Sequence, residues 1–554
     1  MPRSVRPEDA GTKQRIVLAP ASRPTGAAVT VSEETDSRSP NGSRASRPSS
    51  GVGRISGGGR STPPVARDDR VKGPVGGPQS MEDPVYLSPS GSCDSQPSSA
   101  GLVARSRQGR AARLLLLAIA VHLAWAGSAT AENWPQWRGP EGTGHSPEKG
   151  LPERWSPETF AWKVPLLGVG VSSPVVWGDR VFVTSQRGKA ALRPGSHPKL
   201  ARGADVEGKE RALESVEGDV ELVVEAFHAG TGRRLWEYRL AKEGEHTPLH
   251  EKHNLASPSP VTDGESVFAW FGTGQLVALS RDGKRLWQRH LGREVGPFEI
   301  GWGHGSSPGL HGDLLYLLCY HKPASKLLAL DKRTGKTRWE VDRGDDVRSY
   351  STPLVIPGPA GEELIVNSTD RLDAYDPATG AQLWYAGGSH NFAIPVPTLH
   401  DGILYASRGY RSGPYYAIRP GGRGDVNATH VRWQVETGAP YISSLIHAGG
   451  LLFMANDAGI VTCVDPKDGS KLWQERTGGI FSASPVAGDG RLYFMSETGE
   501  AFVFAPDRTP RMLARNEVGG RIVASPAISG GRIFIRTDDH LIAVGARPAA
   551  AAAR

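Results

Sequence analysis

Nowhere does this 554-residue chain approach the uninterrupted run of about 18 apolar residues that a membrane-spanning helix requires. A polytopic helical membrane protein is thereby excluded. Long helices are excluded as well, since 69 Gly and 43 Pro break them and rule out a coiled coil or helical bundle. Cysteine is scarce: Cys93 lies upstream, leaving only Cys319 and Cys463, with no CxxC and no adjacent pair. Both thiols are expected to be free, in a fold held by its core. The charge is also one-sided only in part. Residues 1–131 carry 17 Lys+Arg against 10 Asp+Glu, whereas the remainder carries 48 of each. The folded part is neutral, so no nucleic-acid partner is expected.

What is present begins with a sharp change of composition. Residues 1–104 are rich in Ser, Arg, Pro and Gly and are expected to be disordered, because they bury too little to offset chain entropy. A true start near Leu102 or Val103 would make the segment before it an artefact of the gene boundary. Arg105, Arg107, Arg110 and Arg113 then precede LLLLAIAVHLAWA (Leu114 to Ala126), and Ala129-Thr130-Ala131 follows. A basic flank, a short apolar core and an A-x-A site describe a signal peptide over 105–131. An uncleaved signal anchor is the alternative. The mature chain would start at Glu132 and be periplasmic or secreted. No Cys stands directly after the Ala-Thr-Ala site, so neither a lipid nor any other stable membrane anchor is expected.

The mature chain repeats. Trp236, Trp287, Trp339, Trp384, Trp433 and Trp473 recur at spacings of 51, 52, 45, 49 and 40. A Ser-Pro or Thr-Pro marker opening a short apolar strand recurs at Pro174, Pro260, Pro308, Pro353, Pro485 and Pro526, with Val396-Pro397 and Ser443-Ser444 in the remaining slots. Each unit reads as four strands, with a tight Asp-x-x-Thr-Gly turn before the Trp-bearing fourth. Such units repeated around an axis predict an all-β, eight-bladed β-propeller of four-stranded antiparallel blades over 132–545, with a disordered tail at 546–554. The last unit, from Ser525 to Gly545, lacks its fourth strand. The orphan strand Glu158 to Leu166, carrying Trp162, fits the vacancy, so the N-terminal strand should complete the last blade and close the ring. An insertion from about Arg187 to Asp219 interrupts the first unit.

The unit ending A-x-D-x-x-T-G-x-x-x-W resembles the tryptophan-docking repeat of the pyrroloquinoline-quinone (PQQ)-type propellers. It is intact at Ala329, Asp331, Thr334, Gly335 and Trp339, and at Ala374, Asp376, Thr379, Gly380 and Trp384. The opening NWPQWRGPEGTGHS (Asn133 to Ser146) is similar to the start of exported bacterial propellers related to the outer-membrane assembly factor BamB. The resemblance implies the fold. It does not by itself imply chemistry, because the docking motif is structural. A quinoprotein dehydrogenase of this fold would imply PQQ, calcium, a catalytic Asp and an adjacent-cysteine disulfide. The Cys pair is missing and no Glu, Asn and Asp set matches position by position, which speaks against PQQ and calcium and leaves the cofactor unknown. A metal-dependent enzyme is the other catalytic reading. In HTPLHEKHN, His246, His250 and His253 could share a helix face and bind zinc, but HEKH is not HExxH. A polar loop crossing between the first two blades explains the same residues. SRGYRSGPYY (Ser407 to Tyr416) reads as a solvated hairpin.

The reading is therefore a non-catalytic binding or scaffolding module of the bacterial envelope, whose partner is an envelope protein or a small-molecule or peptide ligand. A propeller chain enters each innermost strand beside the central channel, so residues just before each marker ring its mouth. These are His253 and Asn254, Trp302 and His304, Arg348 and Tyr350, and His390 and Asn391 on blades two to five. Tyr441, Phe481 and Ile522 follow as an apolar arc. His253, His304, Arg348 and His390 are expected to face one cavity.

Overall fold

The computed structural model describes residues 132–545, apart from 189–218, 245–248, 250–251 and 411. The segments 1–104, 105–131 and 546–554, most of the first-blade insertion, and His246 and His250 lie outside the described residues. Eight antiparallel sheets follow one another along the chain, each with four blade strands. The third blade shows the pattern, with strands Gly309–His311, Leu314–Tyr320, Ser325–Asp331 and Thr337–Asp342. Its two middle strands are buried almost throughout, because both of their faces pack on neighbouring blades. The outermost strand alternates half-buried and exposed residues.

The recurring Trp is the joint between blades. Its indole N–H donates to a turn carbonyl of the next blade: Trp236 to Arg281 at 2.8 Å, Trp287 to Lys332 at 2.9 Å, Trp339 to Pro377 at 3.1 Å and Trp433 to Pro466 at 2.9 Å. The turn Gly lies flat beneath the ring. At Gly335, with φ of +70°, a Cβ would come within 2.8 Å of Trp287, so both backbone conformation and space demand glycine. Trp384 departs from this pattern and donates to Glu363 in its own blade. The fifth blade's last turn is enlarged there, and its Gly424–Asp425 segment pairs with the edge of the fourth blade instead.

The ring closes as expected. Trp162–Pro165 pairs antiparallel with His540–Ala543 to complete the eighth blade, and Trp162 docks on Ala229 of the first at 2.9 Å. Among the described residues the core clusters run from Trp134 to Val544, so the propeller contains a core of its own. Cys319 and Cys463 are free and buried within the third and sixth blades.

The Ser-Pro marker has a role beyond opening a strand. Six of the seven marker hydroxyls accept the marker N–H of the preceding blade: Ser173 N–H to Ser259, Ser259 to Ser307, Ser307 to Thr352, Val396 to Ser444, Ser444 to Ser484 and Ser484 to Ser525, at 2.8–3.2 Å. Val396-Pro397 offers no hydroxyl to the fourth blade. Asn367 and Ser351 bridge that joint by donating to the Pro395 carbonyl.

Residues 132–151 form a strap that runs around the ring on the inner strands. Trp134 exchanges backbone bonds with Val176 of the first blade, and Pro135 accepts from Thr262 of the second. Gln136 reaches Leu310 of the third, Arg138 donates to the Leu445 carbonyl beside the sixth, and His145–Ser146 pairs parallel with Ala487–Gly488 of the seventh. Glu148 accepts from Gly530 and Gly531 of the eighth. The innermost strands would otherwise present unpaired edges to the channel, and the strap bonds those of blades one, two, three and seven.

Candidate functional site

The opposite end of the channel is built from the connections between blades and from the loops joining second to third strands. A buried ion pair crosses it. Lys252, in the connection from blade one to blade two, places its Nζ 2.6 Å from Glu497 Oε1 in a loop of blade seven. Blade eight intervenes on the rim, so the contact spans the channel mouth. Lys252 also donates to Ser482 Oγ at 3.2 Å, and that hydroxyl donates to Glu497. Other acids here are committed too. Glu225 is held by Arg234 at 3.0 Å and by the Leu167 N–H, and Asp538 is held by Arg521 at 2.9 Å.

The residues expected to face one cavity separate into two groups. His304 does not line the channel. It is 2% exposed, with its ring 4.3 Å from Trp270 and 4.9 Å from Phe298 between centroids. Burial, then the neighbouring His321 and His253, pushes its pKa down to about 3, so it is a neutral packing group. His253 packs against Gly305 next to it. Asn254 is fully buried and structural: its amide donates to the Val169 carbonyl at 2.8 Å, and its carbonyl oxygen caps a turn at Ala256. Arg348 and His390 sit elsewhere, both tied to the backbone of Thr369. The Arg348 guanidinium pairs with Asp346 at 3.2 Å, while the His390 ring lies over Gly413 and Asn391 is exposed. The expected apolar arc is withdrawn into the core at Phe481 and Ile522, leaving Tyr441 half-buried.

What the structure does assemble is an aromatic rim on blades three to six. Phe392 is its hub, with ring centroids 4.7 Å from Tyr410, 6.3 Å from Trp302 and 6.4 Å from Tyr350. Tyr410 continues the row to Tyr441 at 5.5 Å. Phe392 holds a φ of +55°, a conformation that bulky residues adopt only when their surroundings impose it. The support is visible. Arg408, 1% exposed, donates to Asn367, Thr369 and Gly388, clamping the fourth and fifth blades beneath the rim. Trp302, Phe392, Tyr410 and Tyr441 stay half-buried. Trp302 and Tyr350 follow from marker spacing. Phe392 stands one place beyond the pair His390 and Asn391, and Tyr410 belongs to a different loop, so spacing does not find them. Lys252 and Glu497 carry no sequence signal for their long-range contact.

The donors do not fit a PQQ and calcium site. The two thiols are buried on separate blades, and the mouth carboxylates of Glu225, Glu497 and Asp538 are each paired with a cation. Among the described residues no three His, Cys, Asp or Glu side chains converge as metal ligands.

Comparison with known proteins agrees with the propeller. A family model described as outer membrane protein assembly factor BamB matches residues 156–296, 219–475 and 457–549. An outer membrane protein assembly factor BamB from Burkholderia pseudomallei is 31% identical over 115 residues, covering 20% of this chain and 29% of that protein. The namesake from Shewanella oneidensis is 21% identical over 228 residues, or 40% of this chain and 49% of the relative. The matches thus span at most about half the length of these relatives. A europium-containing methanol dehydrogenase superposes with a TM-score of 0.51 at 12% identity, over 74% of this chain and 89% of that one. A quinohemoprotein alcohol dehydrogenase from Comamonas testosteroni gives 0.50 at 12% identity, over 78% and 83%. At such identity the likeness concerns the fold alone. The family model covers most of the propeller, and the chain belongs to the family it describes, that of the outer membrane protein assembly factor BamB.

Proposed function

We propose that this chain is an exported, non-catalytic scaffold of the cell envelope that binds a partner protein at its aromatic rim. The observation that carries the reading is the contrast between the two ends of the channel. The strap of residues 132–151 is bonded along the inner strands at one end, whereas at the other end Lys252 and Glu497 pair and Trp302, Phe392 and Tyr410 stay half-buried. Trp, Tyr and Arg dominate protein-binding hot spots, because they bury large rigid surfaces at low entropic cost. Arg348, exposed by about a third of its side chain, adds a charged partner for such a surface. The names of the matched relatives point to outer-membrane assembly as the process, and the basic flank, apolar core and Ala-Thr-Ala site point to export. Fractionation with immunoblotting tests location, and deleting the gene tests the process. The chain should appear in the envelope fraction, and folded outer-membrane barrel proteins should fall in the deletion strain. A cytosolic chain with unchanged barrel levels contradicts the proposal.

A further inference from the structure

The first residue of the strap is held in an unusual way. The Glu132 backbone nitrogen lies 2.9 Å from Glu148 Oε1, and the Glu132 carbonyl accepts from the Ser529 hydroxyl at 2.6 Å. Glu148 in turn takes the Gly530 and Gly531 N–H groups at 2.7 Å each, in the first hairpin of blade eight. Its carboxylate is thus fixed by three backbone N–H groups. Among the described residues no Lys, Arg or His lies within ion-pair distance of Glu132 or Glu148. Among the described residues the Glu132 carboxyl accepts only from Ser146, at 3.2 Å, and Glu148 and Glu141 add to the negative charge around it. An amide N–H gives this carboxylate a hydrogen bond but no charge. A nitrogen carrying a full positive charge at the same position would supply both.

Residue 132 is also where the Ala129-Thr130-Ala131 site would cut. Hydrolysis adds water across the Ala131–Glu132 amide, leaving a carboxylate on Ala131 and an amine on Glu132 that takes up a proton at neutral pH. We propose that cleavage after Ala131 by a peptidase of the signal-peptidase class creates an α-ammonium seated on Glu148, so that processing locks the strap across the ring. The seat exists before the cut, and the cut converts a neutral contact into an ion pair joining the strap's two ends to blade eight.

Three proteins test this: one beginning at Glu132, one beginning at Gly127 so that the charge lies beyond reach, and Glu148→Gln beginning at Glu132. All retain the whole propeller, which contains its own core. At pH 7 the first should melt about 2 °C above the other two and exchange strap amides at least about threefold more slowly. An α-amino group titrates near 7.7–8.0 in the open and higher when paired. Its contribution is therefore present below pH 8 and lost as pH rises through the paired value, so the first two should converge by pH 10, while Glu148→Gln, which gives up one of the two accepting oxygens, stays below both. Equal melting and equal strap exchange of the first two at pH 7 would overturn the seat. N-terminal sequencing of envelope protein tests the processing separately: a start at Glu132 supports it, and a start at any other residue overturns it, whatever the melting data show.

Discussion

Lys252 and Glu497 meet at 2.6 Å although 245 residues separate them, and they join the connection after blade one to a loop of blade seven. Both side chains are at least nine-tenths buried. The pair therefore holds the mouth of the channel together without using the rim.

Removing one partner leaves an uncompensated charge, so Lys252→Met should lose about 3 kcal/mol or more of unfolding free energy. The double change Lys252→Met with Glu497→Met should recover most of that loss, since two apolar side chains replace two buried charges. Urea denaturation measures both. A single variant within about 1 kcal/mol of the parent would show that the pair is incidental.

Acid should loosen the molecule at two histidine groups. His447 stacks on His400 at 3.5 Å between centroids, beside His145 of the strap, whose ring bonds the His447 carbonyl. Burial, then His400 and His145, pushes His447 down to about 4 against the opposing pull of Asp401, while burial lowers His145 with Arg138 and His400 adding to it. His304 falls to about 3 and His321 to about 4. These folded values lie below the unfolded value near 6.5. The unfolded chain then binds more protons, and stability should fall as pH drops from about 6.5 towards 4. His447→Asn should flatten this slope in a melting series, and an unchanged slope would remove the group from the account.

The inter-blade joint can be broken from either side. Trp339→Ala removes a half-buried ring and its bond to Pro377, and should cost about 3 kcal/mol. Gly380→Ala keeps the ring but places a Cβ 2.7 Å from Trp339 at a φ of +76°, and should cost about 1–3 kcal/mol through strain. The pair together should cost less than the sum, because the clash disappears with the ring while the backbone strain at residue 380 remains.

Ring closure predicts an asymmetry between two truncations. Removing residues from Ile533 onward deletes two strands of blade eight and strips Trp162–Pro165 of its partner. That protein should be insoluble, whereas removing 546–554 alone should leave melting unchanged. A soluble protein with the parent's unfolding midpoint after the larger cut would contradict the closure.

Much of this architecture was legible because repetition samples one solution eight times. The Trp spacing, the Asp-Thr-Gly turn and the missing fourth strand each have a local cause, and the structure bears out the blades and their closure. The mouth was less legible. Marker spacing locates where the chain passes the channel, but it cannot tell whether a side chain turns outward or back into a blade. His304 and Asn254 occupy mouth positions in the chain and are spent on packing and a turn cap. Phe392 joins the rim through a positive φ that no residue preference signals, and Lys252 finds Glu497 only after the ring has closed.

Whether the rim touches a partner is read directly by photocrosslinking in living cells. A benzophenone side chain replacing Tyr410 would sit on the rim, and one replacing Leu286, 52% exposed on the outermost strand of blade two, would serve as control. The account predicts a discrete adduct with an envelope protein from position 410 that weakens when Trp302 and Phe392 are changed to Ala, and none of that mass from position 286. Adducts of the same mass and strength from both positions, or none from position 410, would contradict it.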